Sequence, residues 1–296
     1  MDPAGTGPAG GTGKHGKEAR EMAQLHREIT KDEIRTYRED GIVVLRGFFN
    51  SDAVEMLREL AEEDMAKPGP LHQELTKPGG TGRFFFDTFL WTFNEKAKAA
   101  LHDLPTAEMA GTVMESKKVN IFFDQFLIKE PGTSEATPWH NDVPFWPVRG
   151  NQICTLWLAL DEVSADSGAV EYVKGSQKWG QWFKPPAFAG DDKYKIDLPK
   201  VPDIDAMRDE LDLVSFELEP GDCTIHHGLL VHGAPGNSRS DRRRRAYLTR
   251  WAGDDATYQP HPNIQKMMWD PDIEAGGPLD SDLWPVIWRA RENETA

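Results

Sequence analysis

Cysteine is scarce. The chain has two, Cys154 and Cys223, each inside an apolar, strand-like stretch, which excludes a disulfide framework and points to a reducing compartment. No apolar run approaches the ~20 residues needed to span a bilayer. The N-terminal stretch lacks the continuous apolar segment of a secretory signal; residues 1–17, rich in Gly, Pro and Ala, read as a disordered tail. Positive charge is also in deficit: 34 Lys and Arg against 49 Asp and Glu give a net charge of -15. A surface that grips nucleic acid through its phosphates needs clustered cations. The expectation is a cytoplasmic protein that meets a small molecule, with no nucleic-acid or membrane partner, and nothing in the sequence fixes its oligomeric state. One feature then needs another explanation, the basic run Arg242 to Arg245.

What is present suffices for a full core. Across 296 residues, 39% are hydrophobic, and we expect one domain over residues 18–296. Thr30 followed by Glu33 makes a capping box that starts a helix running to about Glu39, and Gly41 ends it. Ile42 to Leu45 is a β-branched run suited to a buried strand. Asn50-Ser51-Asp52 then caps an amphipathic helix to Ala66, with Val54, Leu57, Leu60 and Ala61 at helical spacing. Residues 67–82 read as a loop. The aromatic clusters Phe84 to Phe86 and Phe89 to Trp91 supply bulk for the core or for a pocket, and residues 105–115 look helical. From Lys118 onward the pattern is strand, turn, strand: residues 119–128, 153–160, 169–173, 214–218, 223–231 and 246–251. Helices first and short strands afterwards predict a mainly β protein, a helical layer packed on a β-sandwich or jelly roll.

Two segments carry candidate chemistry. In Trp139-His140-Asn141-Asp142 the imidazole and carboxylate are two residues apart, so an extended backbone points both to one side, where one metal could take them. The second segment, Cys223 to Gly233, holds His226, His227 and His232. Taken as one regular strand, it would put His226 and His232 roughly 20 Å apart at about 3.3 Å per residue, too far for a shared ion, with His227 on the opposite face. Two imidazoles and one carboxylate occupy one face of an octahedral ion and leave the other open, as iron(II) oxygenases require. A 2-oxo acid bound there needs a cation for its distant carboxylate, and an arginine fork fits that group. The turn-rich loop after Gly233 leads to the arginine run, from which a returning strand could bring one guanidinium back beside the metal.

In this order, Thr137-Pro138-Trp139-His140-Asn141-Asp142, Leu156-Trp157-Leu158-Ala159-Leu160-Asp161, Ser167-Gly168-Ala169-Val170-Glu171-Tyr172-Val173-Lys174-Gly175-Ser176, Pro220-Gly221-Asp222 and His232-Gly233 leading to the arginines resemble the phytanoyl-CoA dioxygenase family, between about Thr30 and Trp251. The resemblance implies a double-stranded β-helix, or jelly-roll, core and an enzyme using Fe(II), 2-oxoglutarate and O2, which hydroxylates an unactivated C–H bond of a small or medium-sized organic metabolite. It implies metal ligands His140, Asp142 and His232. It also implies a 2-oxoglutarate arginine at Arg244, counted back from the following strand, or at Arg243, counted forward from His232. Gln125 matches a glutamine near the co-substrate and Trp146 an aromatic six residues past the first ligand, with plain packing or hydrogen bonding as the alternative for each; Lys129 matches a lysine before a Pro-Gly turn, with an exposed strand-end lysine as its alternative.

Two departures stand out. Relatives often carry serine where this chain has Ala234, so one hydrogen bond to the 2-oxo acid is either missing or supplied from elsewhere, with Thr155 as the candidate. The usual Pro-Gly-Ser-His turn is here Lys174-Gly175-Ser176-Gln177. In halogenating relatives the aspartate position is a small residue, so Asp142 implies oxidation without halide. The rival readings are a non-catalytic jelly-roll binding protein and a zinc hydrolase or isomerase. The pocket rim is expected from residues 70–93, 145–151 and 177–197, with Trp91, Phe145, Trp146, Trp179, Trp182 and Phe183 as candidate substrate contacts.

Overall fold

The structure is a computed structural model that describes residue 25 and residues 27–186, 197–261 and 264–291. The tail expected over residues 1–17 lies outside these, as does part of the third rim segment. Chain order begins with α1 (Lys31–Asp40), β1 (Ile42–Leu45), α2 (Ser51–Ala66), β2 (Gln73–Glu74), β3 (Phe84–Thr88), α3 (Glu95–Asp103) and α4 (Thr106–Met114). There follow β4 (Lys118–Lys129), β5 (Thr137–His140), β6 (Val148–Arg149), β7 (Ile153–Ala159), β8 (Glu171–Val173) and β9 (Leu213–Ser215). The last strands are β10 (Cys223–His227), β11 (His232–Ala234), β12 (Arg244–Ala252), β13 (Thr257–Tyr258) and β14 (Val286–Arg289).

The caps read from the sequence are the caps that form. Thr30 accepts from the Glu33 backbone while Glu33 reaches back to the Thr30 backbone, satisfying two donors that a helix start leaves open. Gly41 closes α1 at φ 77, a left-handed conformation that glycine adopts without a Cβ penalty. A substituent there would also collide with Gln177 and Leu230.

Two antiparallel sheets make a jelly roll. The larger runs β1-β10-β7-β12-β4-β3-β2, with β14 also against β4, and the smaller runs β5-β11-β8-β9. Strand alternation assigns each face. On β7, Cys154, Leu156 and Leu158 turn outward into a core shared with Leu57 and Leu60 of α2 and Met109 and Val113 of α4. Each fully buried large aliphatic side chain there contributes about 1.5–3 kcal/mol. Thr155 and Trp157, of the other parity, turn into the space between the sheets. The helical layer therefore closes one face of the large sheet and leaves the other for chemistry. No helix among the described residues is long and apolar enough to cross a membrane.

Three expectations change. Phe84 to Thr88 is a strand paired to β4, where the sequence showed only aromatic bulk. Residues 95–103 form a helix that was not anticipated. Most important, residues 223–231 are not one strand: a turn at Gly228-Leu229 breaks it, with Leu230 N–H donating to the His227 carbonyl, and His232 begins a strand of the other sheet.

Candidate metal centre

That turn builds the site. β11 pairs β5 so that His232 and His140 are direct partners, and the Gly228 carbonyl accepts the backbone N–H groups of both Asp142 and Val143 at 3.0 Å. The loop bearing the carboxylate is thus tied to the turn that delivers the second imidazole. Gly228 suits this crowded spot, since an added Cβ would lie 2.7 Å from the Val143 side chain.

His140, Asp142 and His232 come together: one donor atom from each lies within 4.8 Å of the other two. His140 Nε2 is 3.5 Å, and His232 Nε2 3.9 Å, from Asp142 Oδ1. Both imidazoles are oriented from behind, His140 Nδ1 meeting the Pro138 carbonyl at 2.8 Å and His232 Nδ1 meeting the Leu230 carbonyl at 2.9 Å. A carbonyl can only accept, so each Nδ1 carries the proton and each Nε2 keeps a lone pair for a cation. Burial lowers the His232 pKa well below its usual value, with His140 and His226 pushing the same way. Burial alone would raise the Asp142 carboxyl, but His140, His226, His232 and Arg250 hold it well below the ordinary range. A neutral imidazole and an ionised carboxylate are the forms a metal takes up.

The other expected residues divide. Arg244 is buried on the inner face of β12 and lines the cavity between the sheets; burial pushes its pKa down to about 10. Arg243 points outward and pairs with Glu62 and Glu130. Arg242 and Arg245 are likewise matched, by Glu162 and Asp161, so acids of this chain neutralise the outward-facing members of the basic run. Gln125 and Trp146 line the cavity, and Gln125 Oε1 is buried without a hydrogen-bond partner. Lys129 is buried opposite Arg244 in the strand register, donating to the Pro235 carbonyl.

Three readings are corrected. Thr155 does not replace the hydroxyl absent at Ala234; its Oγ1 donates to Asp142 Oδ2 at 2.8 Å. His226, set aside on the arithmetic of a continuous strand, has its ring centroid 4.5 Å from that of His232 and its Nε2 3.5 Å from Asp142 Oδ2. The rim aromatics also divide: Phe145 and Trp146 line the cavity, whereas Trp91 belongs to the core under the helices and Trp182 packs beside Arg149. His227 faces the other way as expected. Its Nδ1 accepts from Leu229 N–H and its Nε2 meets Asn151 Oδ1, which accounts for both nitrogens. Sequence reasoning missed Arg250, which lines the cavity too; its shared parity with Arg244 was the available signal.

The family model for phytanoyl-CoA dioxygenase (PhyH) matches residues 37–246. The chain belongs to the phytanoyl-CoA dioxygenase family. Among relatives, Dioxygenase cdmD of Talaromyces verruculosus is 25% identical, covering 89% of this chain and 85% of that protein. The non-heme alpha ketoglutarate dependent carbocyclase SnoK from nogalamycin biosynthesis superimposes with a TM-score of 0.71 at 22% identity, covering 89% of this chain and 98% of its own. The epimerase SnoN, solved with Fe3+, alpha ketoglutarate and nogalamycin RO, gives 0.68 at 21% over 87% and 98%. These likenesses establish the jelly-roll fold, and membership places the protein among the iron- and 2-oxoglutarate-dependent dioxygenases.

Proposed function

We propose that the protein is an oxygenase that hydroxylates an unactivated C–H bond of a small or medium-sized, partly apolar metabolite, using 2-oxoglutarate and O2 at an iron(II) held by His140, Asp142 and His232. The observation that carries this reading is one cavity in which those three donors face a desolvated arginine on the opposing sheet. Two imidazoles and one carboxylate leave half the coordination sphere open for a chelating acid and for dioxygen. Bound iron supplies the oxidising chemistry.

The chain's own residues bind, orient and shield. Arg244 receives the distal carboxylate of 2-oxoglutarate through its fork. Trp157, beneath that guanidinium at 5.5 Å, and Phe123 keep the floor of the cavity dry. Gln125 offers an amide to the co-substrate. A zinc hydrolase would leave Arg244 buried with no anion to meet, and a cavity meant only for binding would not need three oriented metal donors.

The cavity holds about 720 Å³, the size of a drug-like ligand. Relatives are named for cyclisation and epimerisation as well as dioxygenation, so the family name brings no acyl-CoA to this chain. Its acidic balance also offers few cations for CoA phosphates. The unpaired, buried Cys154 and Cys223 support a cytoplasmic location.

The test is direct. Anaerobic, iron-loaded wild type should develop the weak visible charge-transfer band of a chelated 2-oxo acid when given 2-oxoglutarate, and release succinate when oxygen is admitted. His140→Ala should do neither. A wild type that takes up neither iron nor 2-oxoglutarate would transfer the assignment to a binding protein.

A further inference from the structure

Arg244 is not the only buried cation facing the cavity. Arg250 lies six residues on along β12, on the same inner face, and both guanidinium groups line the space between the sheets. At about 3.3 Å per residue their Cα atoms are roughly 20 Å apart along the strand. Nε and Nη1 of Arg250 are buried with no hydrogen-bond partner among the described residues. Its guanidinium rests over Phe123 at 4.4 Å and Trp146 at 5.6 Å. Taking a guanidinium out of water without a partner costs several kcal/mol, so a fold that keeps one implies an anion to receive.

The register says which end of the cavity that anion occupies. Arg250 is the direct neighbour of Thr155 on β7, and Thr155 the direct neighbour of His226 on β10. Thr155 is the residue hydrogen-bonded to Asp142. Arg250 therefore stands in the row of the metal donors, whereas Arg244 pairs with Lys129 at the far end of β4. Asp142 and Asp124 act on Arg250 only as charges at a distance, and burial pushes its pKa down to about 10. A 2-oxo diacid has a carboxylate at each end, and this strand carries one acid-free arginine near each end of the cavity.

Building on the reading of the site as a 2-oxoglutarate site, we propose that Arg250 binds the carboxylate at the chelating end of the co-substrate, the one beside the keto group, while Arg244 binds the distal one. The rival source of the same chemistry is an acidic group on the prime substrate.

Two ligands separate these. The anaerobic iron(II) protein is titrated with 2-oxoglutarate and with 2-oxobutanoate, which keeps the chelating end and lacks the distal carboxylate, reading both the visible band and the heat of binding. Arg250→Met should weaken both acids by a similar factor of tenfold or more, and Arg250→Lys should recover part of the loss. Iron affinity without any acid should match wild type, and the melting temperature should equal or exceed it, since an uncompensated buried charge is removed; a tenfold fall in that iron affinity would show Arg250 acting through Asp142 and overturn the proposal. Unchanged affinity for both acids would overturn it as well, leaving Arg250 for an acidic prime substrate. If wild type itself gives no band with 2-oxoglutarate, the underlying reading of the site fails instead, an outcome distinct from either.

Discussion

Thr155 donates its hydroxyl to Asp142 Oδ2 over 2.8 Å, which separates the two carboxylate oxygens. Oδ2 is held, and Oδ1 is the oxygen facing His140 and His232. The hydroxyl thereby fixes the carboxylate from the side away from His140 and His232.

Thr155→Val, nearly the same shape, should therefore lower iron(II) affinity by roughly 10–100-fold, the range found when groups behind a metal ligand are removed. The fold should persist, because the position stays buried and filled. Competition titration with a metal indicator measures the effect. An affinity equal to wild type would show that the turn at Gly228 alone holds the carboxylate.

Arg243 and Arg244 are neighbours in sequence with opposite environments, and alanine should separate them. Arg244→Ala removes the desolvated fork and should weaken 2-oxoglutarate by at least a hundredfold, since a charged bidentate contact in a dry site is worth about 3 kcal/mol. Arg243→Ala removes surface pairs with Glu62 and Glu130 and should change 2-oxoglutarate affinity less than threefold. Calorimetry on the iron(II) protein compares them, and equal losses would contradict the placement.

Much of this was legible where chemistry is local. Thr30, Glu33 and Gly41 announce α1 because capping groups satisfy donors and acceptors within a few residues. Strand parity separates Arg244 from Arg243, since alternation sends neighbouring side chains to opposite faces. Strand rise misled at His226. About 3.3 Å per residue holds only while the strand continues, and nothing in Cys223 to Gly233 except Gly228 signals the turn that folds His226 back beside His232. That turn exists because Asp142 and Val143 hydrogen-bond to its carbonyl, a contact from 86 residues away (228 − 142). Phe84 to Thr88 was hidden for a similar reason: consecutive aromatics carry no alternation when both faces of a strand are buried.

Away from the site, α2 and β3 bring two buried acids together, and their titration sets a pH dependence. Asp87 accepts backbone N–H groups from Gly69 and Thr88, which favours its carboxylate, whereas Asp64 Oδ2 has no partner. Burial, with Asp87 beside it, raises the Asp64 pKa to about 8 from an ordinary 3.8. A carboxyl raised in the folded state binds its proton more tightly there than in the unfolded chain. Its contribution to stability is thus whole below pH 3.8 and is lost as pH rises through about 8. Asp64→Asn keeps a neutral donor facing Asp87 and cannot ionise, so it should lose nothing over that range. Between pH 6 and pH 9.5 the difference in Tm should swing by roughly 3 °C or more in favour of the variant, each kcal/mol being worth about 2–4 °C in a protein of this size. Thermal melts of both proteins across that range are the measurement. Parallel curves would mean that Asp64 is already ionised in the fold at pH 6, with a counter-charge that its surroundings do not show.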